Sequence, residues 1–300
     1  MKWRQAAPSH LRLEGAMRTH AGVVRPHNED DLVFVAPQDG DPAAARGSLM
    51  LVADGMGGHA AGEVASALAV KTVRRVFYEQ AGALPEVLGA AFLAANRAIL
   101  AWAKANPECK GMGTTCTAVA VRDGQAWLAH VGDSRAYLLR DGVMTQLSDD
   151  QTLVAQMVRE GKLTPKEAQN SPINNVILQA LGANADVAPV VWADPLQLAA
   201  GDILVLCTDG LSGIVADETI AEHVKRLPPG EACEALIEVA IAAGAPDNVS
   251  VGVFRIVARA KRPDGEQSAA SAHTTTRRVG PASKEAAHHG SAPTRKMNLG

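Results

Sequence analysis

The sequence has few aromatic residues and no patterned cysteines. Phenylalanine, tryptophan and tyrosine make up 3% of its 300 residues, whereas 47% of the residues are hydrophobic, so a core must consist mainly of valine, leucine, isoleucine and alanine. The four cysteines form no Cys-x-x-Cys pair, which argues against a disulfide framework and against a zinc knuckle. We expect small, buried hydrophobic residues at all four positions, which are Cys109, Cys116, Cys207 and Cys233.

Long apolar runs and a large net charge are also missing. No run reaches the roughly 18 apolar residues of a membrane-spanning helix, and the opening segment, MKWRQAAPSH, lacks the apolar region of a signal peptide. The formal charge of -3 favours neither nucleic acid nor a membrane surface as a partner. These absences predict a soluble, cytoplasmic protein that binds no nucleic acid and no membrane.

The length suits one folded domain with two tails. We predict a domain over residues 13–258, a flexible leader over residues 1–12 and a disordered tail over residues 259–300. The tail is rich in serine, alanine, threonine, histidine and proline, which cannot supply a core. Residues 261–300 hold seven Lys or Arg and three Asp or Glu, so the tail is locally basic.

Hydrophobic periodicity predicts helices together with antiparallel strands. Two turn pairs, Asp123-Gly124 and Asp141-Gly142, join alternating runs at two-residue spacing, the strongest short signal of a β-hairpin. A helical pattern begins at about Pro85. A small helical insertion is predicted over residues 161–183, where Thr164 to Glu167 have the pattern of a capping box. The fold class is therefore α+β, and the hairpins argue against a doubly wound parallel sheet.

The last third of the chain again combines predicted strands with predicted helices. The run GDILVLCTDG predicts a strand, and NVSVGVFRIVA predicts the final one. Between them we predict a helix capped near Asp217 and a second helix that ends at Gly244.

A glycine-rich segment follows the strand predicted at residues 48–53. Gly55, Gly57 and Ala60 fit the spacing of a dinucleotide fingerprint, in which backbone amides approach a pyrophosphate. Read from Asp54, where the apolar run stops, the same loop offers a carboxylate and the Gly55 carbonyl to magnesium or manganese. The fingerprint also needs a second strand with an acidic end about 20 residues on. A helical pattern stands there instead, which favours the metal interpretation.

Four aspartates stand at the ends of apolar runs. If strands of one sheet region end at the same edge, their carboxylates converge, raise one another's pKa and call for a cation. An all-oxygen ligand set favours magnesium or manganese over zinc. Two such ions about 4 Å apart lower the pKa of a bridging water and hold an in-line displacement at phosphorus, which suggests phosphoester hydrolysis. A simple turn role remains the alternative for the Asp-Gly pairs among them. The four residues are Asp54, Asp133, Asp209 and Asp247.

A phosphate also needs a cationic partner, and Arg25 is the candidate. It stands shortly before the acidic pair Glu29 and Asp30, and a guanidinium offers two parallel donors to phosphate oxygens. A surface salt bridge is the alternative role for an arginine beside acidic residues.

Six short motifs occur in one order along the chain. They are RPHNED from Arg25, ADGMGGH from Ala53, GMGTT from Gly111, HVGDSRAYL from His130, LCTDGL from Leu206 and PDNVSV from Pro246. In this order they closely resemble the bacterial branch of the metal-dependent Ser/Thr protein phosphatases of type 2C. The resemblance covers roughly residues 13–257.

The resemblance implies a four-layer α-β-β-α sandwich, in which two antiparallel sheets are flanked by helices and a binuclear metal centre lies at one end. It implies two manganese or magnesium ions and a third, weaker one. It also implies that the insertion at residues 161–183 is a mobile flap that affects substrate access.

The resemblance further implies roles for individual residues at the two main metals. Asp54 would bridge both ions, and the Gly55 carbonyl would bind one of them. Asp209 and Asp247 would bind the other. With Arg25, the three aspartates form the catalytic set.

The same resemblance implies roles for residues that surround the two main metals. Glu29 and Asp30 would act through waters or as outer ligands. Asp133 would bind the third ion together with Asp209. Arg25 would bind the substrate phosphate.

Two residues depart from the family pattern. Eukaryotic members often have a histidine, proposed as general acid, where this chain has Met56, a methionine shared with the bacterial branch. His59 is an alternative acid, with a packing or hydrogen-bonding role as its competing interpretation. Gln151 stands where the family has a histidine, and the sequence does not indicate the consequence.

The resulting hypothesis is hydrolysis of phosphoserine and phosphothreonine by a hydroxide that bridges the two metals, without a phosphoenzyme. The implied partners are a Ser/Thr kinase and its substrates in bacterial signalling, and we expect a monomer. Two rivals stay open. A pseudophosphatase would bind phosphoproteins without hydrolysis, and a nucleotide-binding oxidoreductase would use the Gly55 loop for NAD.

Overall fold

The structure, a computed structural model, describes residues 11–38, 40–57, 61–169 and 171–259. The predicted leader up to residue 10 and the predicted tail from residue 260 lie outside the described residues. His59 and Ala60 of the glycine-rich segment lie outside them as well.

Strands and helices follow one another along the described ranges. The strands are Leu11–His20 (β1), Asp30–Val35 (β2), Ser48–Met56 (β3), Gly113–Thr114 (β4), Cys116–Arg122 (β5), Gln125–Val131 (β6), Arg135–Arg140 (β7), Val143–Gln146 (β8), Val190–Val191 (β9), Leu196–Gln197 (β10), Ile203–Cys207 (β11) and Val249–Ala258 (β12). The helices are Ala61–Glu79 (α1), Leu84–Ala105 (α2), Leu153–Arg159 (α3), Pro165–Gln169 (α4), Asp209–Ser212 (α5), Asp217–Arg226 (α6) and Pro229–Ala242 (α7).

The strands form two antiparallel sheets that pack face to face. Sheet A has the order β1-β12-β11-β7-β8, and sheet B has the order β10-β6-β5-β3-β2, with β4 and β9 paired at its margins. Helices α1 and α2 cover the outer face of sheet B, and α6 and α7 cover the outer face of sheet A. A third apolar layer fills the space between the sheets. The predicted α+β class and four-layer sandwich are confirmed.

Strand β3 shows why its sequence is a continuous apolar run. Leu49, Leu51 and Ala53 face the helices, whereas Met50 and Val52 face sheet A. Because alternate residues of a strand point to opposite faces, a strand covered on both sides needs apolar residues throughout. The same alternation directs the residue that follows Ala53 toward sheet A.

Both predicted hairpins are confirmed. Asp123 and Gly124 connect β5 to β6 with φ values of 52° and 74°, and Asp141 and Gly142 connect β7 to β8 with φ values of 52° and 82°. Positive φ at both central residues is the geometry that Asp-Gly favours in two-residue loops.

Helix α2 has the length and composition of a membrane span, and it is the one such helix in the described part of the chain. Its buried residues include Leu88, Phe92 and Ile99, which belong to the core shared by α1 and sheet B. That packing accounts for its apolar composition.

Several predicted boundaries differ from the structure. The leader is predicted to extend to residue 12, whereas strand β1 begins at Leu11 and pairs with β12 along its whole length. Strand β3 does not stop at Asp54 but continues to Met56, because β4 pairs with Gly55 and Met56. Helix α6 begins at Asp217 without a side-chain cap, because its N-cap residue is Ala216, which has no side-chain acceptor. The Asp217 carboxylate instead accepts a hydrogen bond from the Tyr137 hydroxyl.

The insertion at residues 161–183 contains less helix than predicted. Only α4 is helical in its described part, and turns follow it. The predicted capping box is present, because Glu167 accepts hydrogen bonds from the Thr164 amide and hydroxyl at 2.8 and 2.7 Å.

Candidate metal centre

The predicted acidic residues lie at one end of the sandwich, where strand ends of both sheets meet. In sheet B, Asp30 begins β2 and pairs with Asp54 of β3. In sheet A, Asp209 follows the end of β11 and Asp247 precedes the start of β12, and these two strands are neighbours. Asp133 lies on the link from β6 to β7, which crosses from one sheet to the other. The expected convergence of carboxylates follows from this topology.

Asp30 is held between the sheets by hydroxyl groups. Its side chain is 1% exposed, and its Oδ2 accepts hydrogen bonds from Thr208 at 2.9 Å and from Ser250 at 2.6 Å. Burial, with the nearby charge of Asp209, raises its pKa to about 7, although the hydroxyl donors oppose this shift. Asp30 is therefore a fixed carboxylate directly behind the site.

Asp54 and Asp209 lie close enough for each to act on the pKa of the other. Burial and the neighbouring carboxylates raise the pKa of Asp54 well above its usual range, and burial also raises the pKa of Asp209. A bound cation would offset this mutual repulsion of the carboxylates. The Asp54 backbone is locked by its amide, which donates to Thr115 Oγ1 at 3.0 Å, and by its carbonyl, which accepts from Thr114 Oγ1 at 2.8 Å.

Asp133 is another buried carboxylate near this pair. Its side chain is 7% exposed, and burial with the charges of Asp209 and Asp150 raises its pKa to about 7. The next residue, Ser134, places its hydroxyl 2.6 Å from that of Thr115, so the segment bearing Asp133 is tied to the segment that locks Asp54.

Gly55 and Glu29 lie where β3 meets the start of α1. The Gly55 amide donates to the Glu29 carbonyl at 3.1 Å. A Cβ at Gly55 would lie 2.1 Å from the carbonyl oxygen of Gly62, so only glycine allows this close approach. The Glu29 carboxylate in turn accepts a hydrogen bond from the Gly62 amide in the first turn of α1, and burial raises its pKa.

Arg25 forms an ion pair with Asp247, with 2.7 Å between Nη2 and Oδ2. The Arg25 side chain is 52% exposed, and that of Asp247 is 37% exposed. The salt bridge considered as the alternative role of Arg25 is therefore present, and the guanidinium is still accessible from solvent.

Asn248 is a functional residue that the sequence analysis does not single out. Its side chain accepts from the Glu29 amide at 2.8 Å and donates to the carbonyls of Ala21 and His27 at 2.9 Å each. It thereby fixes the loop that carries Arg25 against the start of β12. Thr208 and Ser250 were also missed, although polar residues at inward-facing strand positions are a usable signal of a buried polar site.

The residues fit a divalent metal centre. Among the described residues, three buried carboxylate oxygens have no hydrogen-bond partner, namely Oδ1 of Asp30, Asp133 and Asp209. A buried anionic oxygen without a donor is costly, and a cation would offset that cost. The available donors are all oxygens, which suits magnesium or manganese.

The carboxylates nevertheless do not form a closed metal cluster in the described part of the chain. One contact bears on this arrangement, because the Asp247 carboxylate is engaged with Arg25. Binding of a cation by Asp247 would replace that contact.

The histidines near the motifs have structural partners. His130 is buried, with Nδ1 2.8 Å from Thr117 Oγ1 and Nε2 3.1 Å from the Asp149 carbonyl, and burial lowers its pKa. His20 Nδ1 accepts from the Gly22 amide at 3.0 Å. Both rings therefore have a hydrogen-bonding role. The four cysteines are free and buried, as predicted.

The metal-free protein should lose stability as pH rises from about 4 to 7. The folded pKa of Asp133 is about 7, against an ordinary value of 3.8, so the unfolded chain releases this proton first and unfolding is favoured as pH rises. One such group contributes a slope of up to about 1.4 kcal/mol per pH unit. Chemical denaturation across this range should show a shallower slope for Asp133→Asn than for the wild type.

Asp141→Asn is the matched control, because Asp141 is an exposed turn residue with a positive φ that asparagine also adopts. Its pH slope should equal that of the wild type. An unchanged slope in Asp133→Asn would contradict the raised pKa.

Known phosphatases resemble this chain over most of its length. The family model described as Protein phosphatase 2C matches residues 27–236. The serine/threonine protein phosphatase PstP of Mycobacterium tuberculosis is 42% identical over 248 residues, which are 82% of this chain and 46% of that relative. The serine/threonine phosphatase stp of Listeria innocua is 35% identical over 245 residues, which are 80% of this chain and 94% of that relative. The chain thus spans about half the length of the former.

Solved structures of similar proteins share the fold. A crystal structure of Mycobacterium tuberculosis PstP has a TM-score of 0.74 at 41% identity, and the match covers 82% of this chain and 99% of that one. A structure of the PstP catalytic domain in complex with two manganese ions has a TM-score of 0.72 at the same identity and coverage. Stp1 from Staphylococcus aureus has a TM-score of 0.75 at 28% identity, covering 85% of this chain and 99% of that one.

Proposed function

Because the chain belongs to the protein phosphatase 2C family, we propose that it is a metal-dependent protein serine/threonine phosphatase of the bacterial branch. The observation that carries the proposal is the convergence of buried carboxylates with unpartnered oxygens beside an accessible arginine. The antiparallel sheets argue against the oxidoreductase rival, whose dinucleotide fold is a parallel sheet.

Two manganese or magnesium ions are the proposed cofactors, as in the manganese complex of PstP. When bound, such ions supply Lewis-acid activation of a water molecule and neutralise charge on the phosphoryl group. The residues that would hold them are Asp54, the Gly55 carbonyl, Asp209 and Asp247, with Glu29 and Asp30 behind them and Asp133 at a third, weaker position. These assignments agree with the unpartnered oxygens of Asp30, Asp133 and Asp209.

The protein's own groups have separate tasks. Asp54 and Asp209 must be ionised to bind a cation, and burial raises the pKa of both carboxylates, so cation affinity should rise with pH. Arg25 exchanges its contact with Asp247 for the substrate phosphate, to which it offers bidentate donors. Asn248 keeps the Arg25 loop in place during that exchange.

Phosphorylated proteins are the proposed substrates, and a Ser/Thr kinase with its targets is the proposed signalling partner. The relatives' names support the first of these, since they are serine/threonine phosphatases. We further propose a monomeric, cytoplasmic protein that binds no membrane. Four free, buried cysteines suit a reducing compartment, and the apolar face of α2 is used in the core.

Hydrolysis assays test the proposal directly. The purified chain should release phosphate from phosphoserine and phosphothreonine peptides and from an aryl phosphate when manganese is added, and a chelator should abolish turnover. Restoration by manganese or magnesium should be complete, because the oxygen ligand set accepts both ions. Binding of phosphopeptide without hydrolysis would support the pseudophosphatase instead, and tight NAD binding without hydrolysis would support the oxidoreductase.

A further inference from the structure

Residues 176–182, here called the strap, form the last part of the insertion at residues 161–183 and pass next to the segment that holds Asp54. The strap pairs with the segment behind Asp54, because Leu181 and Thr114 exchange two backbone hydrogen bonds of 2.9 Å each. Thr114 also donates its hydroxyl to the Asp54 carbonyl at 2.8 Å. Next to it, the Gly182 amide donates to Asn96 Oδ1 at 2.6 Å, which fixes the end of the strap to α2.

Gln151 joins the strap to the segment that carries Asp133. Its carbonyl accepts from the Leu178 amide at 2.8 Å, and its own amide donates to the Gly132 carbonyl at 2.8 Å. Its side-chain Oε1 accepts from the Gly132 amide at 2.9 Å. One residue therefore contacts the strap through its backbone and holds Gly132 through both backbone and side chain.

The backbone of Gly132 is restricted by its surroundings as well as by these hydrogen bonds to Gln151, here called the clamp. It is buried and has a φ of +105°, which a residue with a side chain rarely adopts. A Cβ there would lie 2.6 Å from Thr115 Cγ2, so Gly132 is pressed against the segment that locks Asp54. The residue after Gly132 is Asp133, whose position depends on how this peptide is held.

We propose that Gln151 is a positioning residue that couples the strap to Asp133, so that the flap side of the site and the Asp133 carboxylate move as one unit. The inference rests on the proposed phosphatase function and adds a role for a residue that departs from the family pattern. The side-chain amide is an acceptor that carries no charge at any working pH, whereas a histidine at this position would titrate. Titration of the Gln151 side chain therefore cannot break its hydrogen bond to Gly132.

Amide hydrogen exchange on the metal-free protein tests whether the hydrogen bonds of Gln151 hold Gly132 and the strap in place. Gln151→Leu removes the side-chain acceptor of the Gly132 amide at nearly constant volume, and that amide should exchange roughly 5- to 150-fold faster, the range that corresponds to an unsatisfied buried donor. The Leu178 amide keeps its backbone acceptor at residue 151, so its exchange should also accelerate only if the strap is coupled to the side chain of Gln151. Amides between β7 and β11, such as that of Val205, should keep their wild-type rates. Gln151→Glu is the matched control, because it keeps an oxygen acceptor at the same reach, and it should preserve protection of Gly132.

A double-mutant cycle tests whether the effect passes through Asp133. Gln151→Leu should lower kcat/KM about tenfold in the wild-type background and have little effect in the Asp133→Asn background, since coupled residues are not additive. A purely structural role would lower kcat/KM equally in both backgrounds and would lower Tm throughout. If Gln151→Leu does not fold, Gln151→Asn carries the same expectations, because it shortens the reach by one methylene.

Unchanged exchange of Gly132 and Leu178, or an equal loss of kcat/KM in both backgrounds, would overturn the proposal. The exchange measurement needs neither metal nor turnover. If the wild-type chain hydrolysed no phosphoester, the proposed function would fail, and the exchange result would still decide whether Gln151 clamps the strap.

Discussion

Asp54→Asn should lower kcat for an aryl phosphate by about 1000-fold or more at saturating manganese, because it removes the carboxylate at the centre of the acidic cluster. Asp54 is the residue on which the charges of Asp30, Asp209 and Asp133 all act. Asparagine keeps the shape of the side chain but supplies one neutral oxygen in place of an anion. Asp209→Asn should have a comparable effect, since Asp209 is another buried carboxylate of the same cluster and lies beside Asp54.

Measurements of stability distinguish this loss of kcat from a loss caused by misfolding. Burial raises the pKa of Asp54 well above its usual range, so the metal-free Asp54→Asn protein should be at least as stable as the wild type near neutral pH. Its Tm should respond much less to added manganese, because a ligand stabilises only the state that binds it.

Asp123→Asn is the matched control for this substitution. Asp123 is exposed at the β5–β6 turn, at the far end of these strands from the metal centre, and its φ of 52° suits asparagine. Both kcat and the response of Tm to manganese should be those of the wild type. Near-full manganese-dependent turnover in either Asp54→Asn or Asp209→Asn would show that the metal assignment is wrong.

The parts of the fold that local chemistry determines are the parts that the sequence predicts. Asp123-Gly124 and Asp141-Gly142 define their hairpins because each turn type depends on two adjacent residues. The order of aspartates at strand ends predicts their convergence, since strand ends gather at a sheet edge. The metal roles stay predictions until the variants are measured.

Contacts between distant segments are what the sequence does not reveal. Strand β1 has a usable alternation, in which Leu11, Leu13 and Met17 face the space between the sheets. Its partner β12 lies more than 200 residues away, so no local turn signal marks the pair. Its central Gly15 also breaks the strand pattern, and the structure explains it by Phe254, whose ring would lie 2.2 Å from a Cβ at that position.

The hydrogen bonds that Asp30 accepts from two hydroxyl groups and those that Gln151 forms with Gly132 and Leu178 have one property in common. Both sets join separate segments of the chain. Thr208 and Ser250 belong to sheet A, whereas Asp30 belongs to sheet B, so only the packed sandwich brings them together. Gln151 acts on Gly132, which belongs to the motif from His130, and on Leu178, which belongs to none of the six motifs. The two partners lie on either side of Gln151 along the chain. Single polar residues with remote partners therefore escape periodicity and motif arguments.

Arg25→Ala should lower kcat/KM for a phosphothreonine peptide roughly 10- to 100-fold, with much of the loss in KM, because a charge-assisted bidentate contact to phosphate contributes about 1.5–3 kcal/mol. Arg25→Lys should recover only part of that loss, since an ammonium cannot form the paired contact. The free energy of unfolding should change little, because the Arg25–Asp247 pair is half exposed and such pairs contribute about 0–1 kcal/mol. Steady-state kinetics and chemical denaturation of the three proteins measure these quantities.

Arg75→Ala is the control that separates phosphate binding from general loss of positive charge. Arg75 forms an exposed pair with Glu79 on α1, and its removal should leave kcat and KM unchanged. If Arg25 only held Asp247 in place, Arg25→Ala would reduce manganese affinity, leave KM for the peptide unchanged at saturating manganese, and be relieved by more metal. A rise in KM that persists at saturating manganese assigns the guanidinium to the phosphate, because no effect on the metal ligands can then produce it.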